Sequence, residues 1–312
     1  MNRVLVTGAA GFIGTHLCEL LLREDYEIIA IDNLITGRRE NILPFLDNKR
    51  FQFLENDATK PLPLAELTGL NYVLHMASPA SPIAYGAWPI ETMMTNSLGT
   101  YALLELARAH NARFIMASTS EVYGDPLEHP QREGYWGNVN PIGPRSCYDE
   151  SKRFAEALTM SYQRQYDLSI GIMRIFNTYG PKMQASDGRV ITNFIDQALN
   201  GEPMTIYGDG KQTRSFCYVS DLVRGILLLV KSDVSGPVNL GNNGEYTILE
   251  IAEKIRELTG TSSSFSFCPL PTDDPTRRRP DISLAKSLLN WEPELSLEQG
   301  LSETIAYFRS LK

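Results

Sequence analysis

Three glycines, each three residues from the next, follow the first apolar segment of this 312-residue chain. Gly8, Gly11 and Gly14 stand between Val4-Leu-Val, which has the character of a buried strand, and residues 12–23, whose apolar positions recur at helical spacing. Small residues in such a loop let backbone N–H groups approach a pyrophosphate, and the N-terminus of the next helix adds a favourable dipole. A tight turn without a ligand is the alternative, but the strand–loop–helix context favours a dinucleotide site.

Apolar segments with strand character alternate with helical patterns through the first half of the chain. The strand segments are residues 3–7, 27–31, 51–54, 72–76, 114–118 and 169–175, and the helical patterns include residues 12–23, 98–110 and 148–166. This alternation predicts an α/β fold of the Rossmann type, a doubly wound parallel sheet with helices on both faces. Ligands of such sheets bind at the carboxyl ends of the strands.

After about Pro181 the pattern changes to helical segments separated by loops rich in Gly, Pro and Asp. The helical segments are residues 190–199, 222–230, 249–258 and 297–309. We therefore predict a Rossmann domain over residues 1–180 and a smaller C-terminal α/β substrate domain over residues 181–312. The segment near residues 213–242 is expected to return to the first domain, with Val238-Asn-Leu as an added strand.

Charge and cysteine usage argue against several classes of protein. The chain has 29 basic and 37 acidic residues, a net charge of −8, so we expect no nucleic-acid partner. Its four cysteines (Cys18, Cys147, Cys217 and Cys268) show neither a CxxC pair nor metal-ligand spacing, which predicts reduced thiols and no metal. The chain shows no targeting signal, and its longest apolar run is far shorter than the ~20 residues of a membrane helix. We expect a cytoplasmic protein with no membrane partner.

Acidic residues after the second and third strand segments suggest which dinucleotide is bound. Asp32 can accept hydrogen bonds from an adenosine ribose and would repel a 2′-phosphate, which favours NAD over NADP, although Arg38 and Arg39 weaken that preference. Asp32-Asn33 could instead cap a turn. Asp57 could bind the adenine amino group or cap the next segment.

Tyr148 and Lys152 form the main candidate for catalysis. Their spacing of four places both on one helix face, where an ammonium would favour the ionised form of the phenol and make it a base. A solvated surface pair is the alternative, but the preceding nucleotide loop favours hydride chemistry on an alcohol. Thr119-Ser120-Glu121 ends the fifth strand segment, where it could also be an ordinary strand-end turn.

Several longer segments carry a resemblance to a known family. They are residues 7–14, 75–82, 117–126, 135–150, 174–181 and 278–282, and the block from Tyr135 to Glu150 is the most specific. The chain resembles the extended short-chain dehydrogenase/reductases (NAD-dependent epimerases and dehydratases), and within them the UDP-glucuronate decarboxylases. The resemblance covers essentially the whole chain.

The resemblance implies that tightly bound NAD oxidises UDP-glucuronate at C4, with Tyr148 as base and Lys152 holding the nicotinamide ribose. Thr119 would bind the 4-hydroxyl, and Glu121 would lie near the substrate carboxylate and destabilise it by like-charge repulsion. Arg278 would lie near the reacting sugar. Loss of CO2 from the 4-keto acid and re-reduction would give UDP-xylose. Ser120 replaces the acid that related 4,6-dehydratases use to expel the 6-hydroxyl, so dehydration is disfavoured.

The resemblance also implies two binding sets. The cofactor set is Gly8, Gly11, Phe12, Ile13, Gly14, Asp32, Asn33, Thr36, Gly37, Asp57, Ala58, Met76, Ser78, Thr95, Ala117, Tyr148, Lys152, Thr178 and Arg189. The UDP-sugar set is Pro82, Thr119, Glu121, Tyr148, Asn177, Arg189, Val190, Thr205, Tyr207, Gln212, Arg214 and Arg278. For a single arginine a surface ion pair is the alternative, and for Tyr207 a core position.

Three points stay open in the sequence. Met94 stands where decarboxylases often carry a lysine near the sugar, which leaves the charge of the substrate undecided. A 4-epimerase, or a 4,6-dehydratase, of the same fold acting on another UDP- or dTDP-sugar is the rival enzyme, and a dinucleotide-binding sensor without catalysis is the rival from another class. The resemblance further implies a homodimer, joined in a four-helix bundle by the helices near residues 98–110 and 151–166.

Overall fold

The computed structural model describes residues 1–185, 187–271, 275 and 277–312. The strands are β1 (Arg3–Thr7), β2 (Glu27–Asp32), β3 (Phe51–Glu55), β4 (Tyr72–His75), β5 (Arg113–Thr119), β6 (Ile170–Ile175), β7 (Thr178–Tyr179), β8 (Met204–Tyr207), β9 (Thr213–Ser215), β10 (Cys217–Tyr218), β11 (Val238–Leu240), β12 (Glu245–Thr247), β13 (Phe265–Cys268) and β14 (Arg277–Arg278). The helices are α1 (Phe12–Arg23), α2 (Arg39–Ile42), α3 (Pro82–Ala87), α4 (Pro89–Met94), α5 (Thr100–His110), α6 (Ser146–Tyr166), α7 (Val190–Asn200), α8 (Val219–Lys231), α9 (Ile248–Thr259), α10 (Ser283–Leu289) and α11 (Leu297–Ser310).

A parallel sheet forms the centre of the larger part of the described chain. Its seven strands have the order β11-β6-β5-β4-β1-β2-β3, so the chain winds outward from β1 in both directions. Successive side chains of a strand point to opposite faces, and in β1 Val4 and Val6 enter one apolar cluster while Leu5 enters the other. Helices cover both faces, since α1 packs on α8 and α5 packs on α6. This architecture confirms the predicted Rossmann-type α/β class.

The strands predicted in the first half agree closely with those observed. β1 and α1 have the predicted bounds, and β2 and β3 are each one residue longer at the carboxyl end. The sequence missed the short helices α2, α3 and α4, of which the last two precede a π-helical turn at Thr95–Gly99 and then α5. Pro82 and Pro89 each occupy the first turn of one of these helices, a position where proline is compatible with a helix.

The C-terminal part is held together by strands of two to four residues. β9 lies between β12 and β14, and its pairing with β14 places Arg214 directly beside Arg278. β8 pairs with β13, and β7 pairs with β10. β11 leaves this region and pairs with β6 as the last strand of the main sheet. Helices α7, α9 and α11 pack against one another around these short strands.

Within the described residues, no helix combines the length and apolar character that a membrane crossing requires.

Candidate active site

One cavity runs along the carboxyl edge of the main sheet, and it has two connected parts. The first, of about 560 Å³, lies against the glycine loop, and we call it the glycine-loop compartment. The second, of about 430 Å³, contains Tyr148 and continues toward the C-terminal part, and we call it the tyrosine compartment. Both compartments are lined by Ile13, Met76, Ser78 and Arg189. Two elongated ligands, one in each compartment, can therefore meet at these residues.

The glycine loop is packed too closely for a side chain at Gly8 or Gly14. A Cβ added at Gly14 would lie 2.0 Å from the carbonyl oxygen of Gly8. Gly8 itself has a φ of +71°, a backbone conformation that favours glycine, and a Cβ there would lie 2.8 Å from the backbone of Ala77. These close approaches leave the N-terminus of α1 open to the compartment, which is the geometry that a pyrophosphate requires.

Two carboxylates lie at the far end of the glycine-loop compartment. Asp32 is 8% exposed, and its oxygens accept hydrogen bonds from the backbone N–H groups of Ala10 (2.9 Å) and Leu34 (2.8 Å). Burial raises the pKa of Asp32 in spite of these two bonds. Asp57 accepts a hydrogen bond from the side-chain amide of Asn33 at 3.1 Å. Asp32 therefore closes the turn and also lines the cavity, a position compatible with both interpretations of the sequence.

The structure brings all the residues of the predicted cofactor set to this cavity. Those that line the glycine-loop compartment are Gly8, Gly11, Phe12, Ile13, Gly14, Asp32, Asn33, Thr36, Gly37, Asp57, Ala58, Met76, Ser78, Thr95 and Arg189. Ala117, Tyr148, Lys152 and Thr178 line the tyrosine compartment. The sequence did not predict Lys182 and Gln184, which also line the glycine-loop compartment.

Tyr148 lies in the first turn of α6 and is 6% exposed. Its phenol is hydrogen-bonded to the side chain of Thr119, and its ring stacks on that of Tyr85, with centroids 5.3 Å apart. Burial, the largest cause, and the negative charge of Glu121 raise the pKa of Tyr148 to about 12, while the Thr119 bond and Arg189 oppose them. The sequence predicted that a nearby ammonium lowers the pKa of Tyr148. With only the protein's own groups present this prediction is wrong, because desolvation of the phenolate outweighs the effect of the nearby cations.

Lys152 lies one turn further along α6 and is buried. Its ammonium donates a hydrogen bond to the carbonyl oxygen of Ala117 at 2.8 Å and lies 5.9 Å from the centroid of the Tyr148 ring. Burial lowers the pKa of Lys152 to about 7, and the carboxylate of Glu156 opposes this shift. Both members of the pair are thus buried and aimed at the same part of the tyrosine compartment.

Glu121 follows β5 in a short turn and is held by two arginines. Arg278 donates two parallel hydrogen bonds to its carboxylate, at 2.6 and 2.7 Å, and Arg145 donates a third at 2.6 Å. Burial alone would raise the pKa of Glu121, but the two guanidinium groups lower it well below its usual range. These ion pairs offset the charge of Glu121, so it would repel a substrate carboxylate less than a lone carboxylate would. Ser120, buried beside it, lines the same compartment.

Asp149 lies next to this group and was not among the predicted site residues. It is 6% exposed, and its Oδ1 atom has no hydrogen-bond partner among the described residues. Burial, followed by the negative charge of Glu121, raises the pKa of Asp149 to about 7. Arg145, four residues earlier, was missed as well. Both residues belong to the block 135–150 that the sequence singles out, and this was the one available signal for them.

The predicted UDP-sugar set lines the tyrosine compartment. Its members there are Pro82, Thr119, Glu121, Tyr148, Asn177, Arg189, Val190, Thr205, Tyr207, Gln212, Arg214 and Arg278. Arg189 precedes the first turn of α7 and donates to the carbonyl oxygen of Ala80 at 2.9 Å. Tyr207 is 41% exposed, so it is not a core aromatic.

Met94 lies on α4 and is 42% exposed. It is not among the described residues that line either compartment. The position that left the charge of the substrate open in the sequence therefore does not face the cavity. Arg145 and Arg278 do face it, and so do Lys152, Arg189 and Arg214. No group of three or more His, Cys, Asp or Glu side chains suited to a metal occurs in the described part of the chain.

Comparisons with known proteins agree with this geometry. Residues 4–241 match the NAD dependent epimerase/dehydratase family. The chain is 52% identical to UDP-glucuronic acid decarboxylase 1 of Arabidopsis thaliana, over 99% of this chain and 70% of the relative. It is 50% identical to UDP-glucuronic acid decarboxylase 1 of Danio rerio, over 98% of this chain and 72% of the relative.

A solved structure extends the comparison to bound ligands. The UDP-glucuronic acid 4-epimerase of Bacillus cereus, in complex with UDP-glucuronic acid and NAD, superposes with a TM-score of 0.90. It is 32% identical, and the match covers 99% of this chain and 100% of the epimerase chain. The same fold thus occurs in a protein described as a UDP-glucuronic acid 4-epimerase.

Proposed function

Because the chain belongs to the NAD-dependent epimerase/dehydratase family, we propose that it is an NAD-dependent decarboxylase that converts UDP-glucuronate into UDP-xylose. The observation that carries this proposal is the position of Arg145 and Arg278 around Glu121, beside the buried Tyr148. A substrate with a carboxylate next to an oxidisable hydroxyl matches this arrangement. The identity of about half of all positions to UDP-glucuronic acid decarboxylases supports the same reaction.

The residues of the glycine-loop compartment fit NAD. Gly8 and Gly14 leave the backbone free to approach the pyrophosphate, and Asp32 offers its remaining lone pairs to the adenosine ribose. The carboxylate of Asp32 would repel a 2′-phosphate. Lys152 lies where it can hold the second ribose. The bound cofactor would supply a hydride acceptor with a positive charge, which would favour the ionised form of Tyr148 and so oppose the burial that raises its pKa.

Tyr148 and Thr119 perform the proton transfer at C4 in this proposal. The phenolate of Tyr148 accepts the proton of the 4-hydroxyl, and the hydroxyl of Thr119, which is hydrogen-bonded to Tyr148, orients the reacting oxygen. Ser120 lines the same wall but has no acidity with which to expel a 6-hydroxyl, so dehydration is disfavoured. The chemistry therefore continues at the carboxylate.

Loss of CO2 follows from the ketone at C4. The carboxylate at C6 then belongs to a β-keto acid, so the C5–C6 bond breaks, its electron pair enters the C4 carbonyl as an enolate, and CO2 leaves. Protonation at C5 and return of the hydride complete UDP-xylose, so the overall reaction consumes one proton. Arg145 and Arg278 hold the carboxylate end, and Glu121 fixes the two guanidinium groups relative to each other.

The C-terminal part binds the UDP in this proposal, and residues 1–180 hold the cofactor. Arg189 and Arg214 are placed for the phosphates, helped by the N-terminus of α7, while Tyr207 is placed for the uracil. The pairing of β9 with β14 connects the phosphate arginine Arg214 to the sugar arginine Arg278. Binding of the nucleotide would thereby fix the carboxylate end of the site.

We also propose a homodimer that works in the cytoplasm. Leu98, Tyr101, Phe154 and Tyr166 are 42–50% exposed on or next to α5 and α6, where a second copy would bury them in a four-helix bundle. Light scattering of the purified protein would test this, and a monomer at micromolar concentration would contradict it. The free cysteines, three of them buried, are compatible with a reducing compartment.

The reaction is tested by incubating the protein with UDP-glucuronate and NAD and identifying the nucleotide sugar by mass spectrometry. Decarboxylation predicts loss of the mass of CO2 and appearance of UDP-xylose. A sugar of unchanged mass with inverted C4 would instead establish a 4-epimerase, the alternative that the Bacillus cereus structure favours. UDP-4-keto-pentose together with NADH would show that the final reduction is incomplete.

A further inference from the structure

Asp149 is a buried acid beside the active site for which the proposed reaction has no use. Its backbone N–H donates to the carbonyl oxygen of Arg145 at 3.1 Å, so the two residues lie one turn apart on the same face of α6. The side chain is 6% exposed and does not line the cavity, and its Oδ1 has no hydrogen-bond partner among the described residues. A buried carboxylate oxygen without a donor disfavours the ionised form.

The charged and titratable groups that face Asp149 come from every neighbouring element. They are Tyr85 on α3, Glu121 after β5, Arg145, Cys147, Tyr148 and Glu150 around the start of α6, and Arg278 on β14. Glu121 and the two arginines that keep it ionised matter most. An ionised Asp149 would compete with Glu121 for the same guanidinium groups, and Glu121 repels its negative charge.

The carboxylate of the substrate would lie against the same guanidinium groups. This step depends on the proposed function, since only a uronic acid brings a carboxylate to Arg145 and Arg278. The carboxylate of the substrate and an ionised Asp149 would repel each other across the arginines, so both negative charges are not accommodated together. We propose that Asp149 is a positioning residue that takes up a proton when the sugar carboxylate binds, and so reserves the arginine pair for the substrate.

Proton uptake makes the binding of substrate depend on pH, whereas the binding of product does not. UDP-xylose has no carboxylate, so its binding leaves Asp149 free to ionise against the arginines. Loss of CO2 therefore removes the charge that kept Asp149 protonated, and the acid returns its proton to solvent as product leaves. By linkage, affinity for UDP-glucuronate must fall as pH rises through the pKa of Asp149, whereas affinity for UDP-xylose must not.

Proton uptake can be measured directly by isothermal titration calorimetry of the Tyr148→Phe holoenzyme, which binds substrate without turning it over. Titrations at about pH 7.5 are made in two buffers of different ionisation enthalpy. The difference between the two binding enthalpies gives the number of protons taken up with the ligand. A neighbouring negative charge raises the pKa of a carboxyl group by a unit or more. Binding of UDP-glucuronate should therefore add roughly half to three-quarters of a proton to Asp149 at each site. Binding of UDP-xylose should take up close to no protons. Any uptake measured with UDP-xylose comes from the nucleotide and from Lys152, and it is subtracted from the value for UDP-glucuronate.

Matched variants assign the proton to one residue. Asp149→Asn on the same background should abolish the uptake and make UDP-glucuronate affinity independent of pH, where the parent loses up to about tenfold per pH unit. Glu150→Gln is the control, because Glu150 is the next residue of α6 and pairs with Arg153 at 3.6 Å. Its charge has the smallest of the named effects on the pKa of Asp149, so this variant should leave most of the uptake in place.

The outcomes separate this inference from the proposed function. Equal proton uptake for UDP-glucuronate and UDP-xylose, or uptake that survives Asp149→Asn, would overturn the role of Asp149 even if the wild-type protein makes UDP-xylose. Should Asp149→Asn fail to fold, the two-ligand comparison on the parent still decides. Failure of the wild-type protein to act on UDP-glucuronate would overturn the proposed function itself.

Discussion

The two compartments of the cavity hold their ligands by different means. The glycine-loop compartment is shaped by backbone, with glycines at positions where a Cβ would lie within 3 Å of another atom. The tyrosine compartment is shaped by buried charge, with Glu121 held by Arg145 and Arg278. The close packing of Gly14 on Gly8 depends on one short segment, whereas the bond from Arg278 to Glu121 joins residues far apart in the chain. The glycine loop can therefore be recognised from local sequence, whereas the charged part of the substrate site depends on the whole fold.

The largest effect is expected at the reacting end of the tyrosine compartment. Tyr148→Phe removes the proton acceptor and should lower kcat by about 10³-fold or more, with NAD content nearly unchanged. Tyr85→Phe is the matched control, because this stacked tyrosine has a buried hydroxyl without a hydrogen-bond partner in the described part of the chain. It should lose less than about tenfold. Substantial residual turnover in Tyr148→Phe would refute its role as base.

The next largest effect tests the steric compartment. Gly14→Ala places a Cβ 2.0 Å from the carbonyl oxygen of Gly8, which should cost about 3 kcal/mol of folding stability or more and remove bound NAD. Gly86→Ala is the control in α3, since a Cβ there meets no atom within 4 Å. Thermal unfolding and the absorbance of extracted NAD measure both quantities. Equal stability of the two variants would contradict the close packing of the loop.

A smaller effect tests the buried charge. Arg278→Gln removes two of the three hydrogen bonds that hold Glu121, and since Arg145 remains, we expect a loss of about 2–3 kcal/mol in stability. The KM for UDP-glucuronate should rise more than the Kd for UDP. The exposed neighbour Arg277→Gln should change neither. A parallel rise of both constants would place Arg278 at the nucleotide rather than at the carboxylate.

The smallest effect concerns cofactor choice. Asp32→Asn keeps an oxygen for the turn but removes the charge that repels a 2′-phosphate. The preference for NAD over NADP, measured as the ratio of dissociation constants, should fall by about tenfold. An unchanged ratio would mean that Arg38 and other neighbours, rather than Asp32, decide the cofactor.

The same contrast explains which features the sequence could predict. The strands of the main sheet and α1 were predicted within one or two residues, because long apolar segments and helical periodicity are local. The short strands β9 and β14 have no periodicity to read, since they contain three and two residues. Tyr148 and Lys152 were visible as a helical pair. The bond from Arg278 to Glu121 joins residues 157 positions apart and leaves no local signal.

The central claim is that oxidation at C4 leads to cleavage of the C5–C6 bond within one site. It is tested most directly by turning over UDP-glucuronate in deuterium oxide and locating deuterium in the product by NMR and mass spectrometry. The account predicts UDP-xylose with one deuterium at C5 and none at C4, because the proton at C5 comes from solvent while the hydride returns to C4. A six-carbon uronic acid with inverted C4 and no deuterium would contradict it.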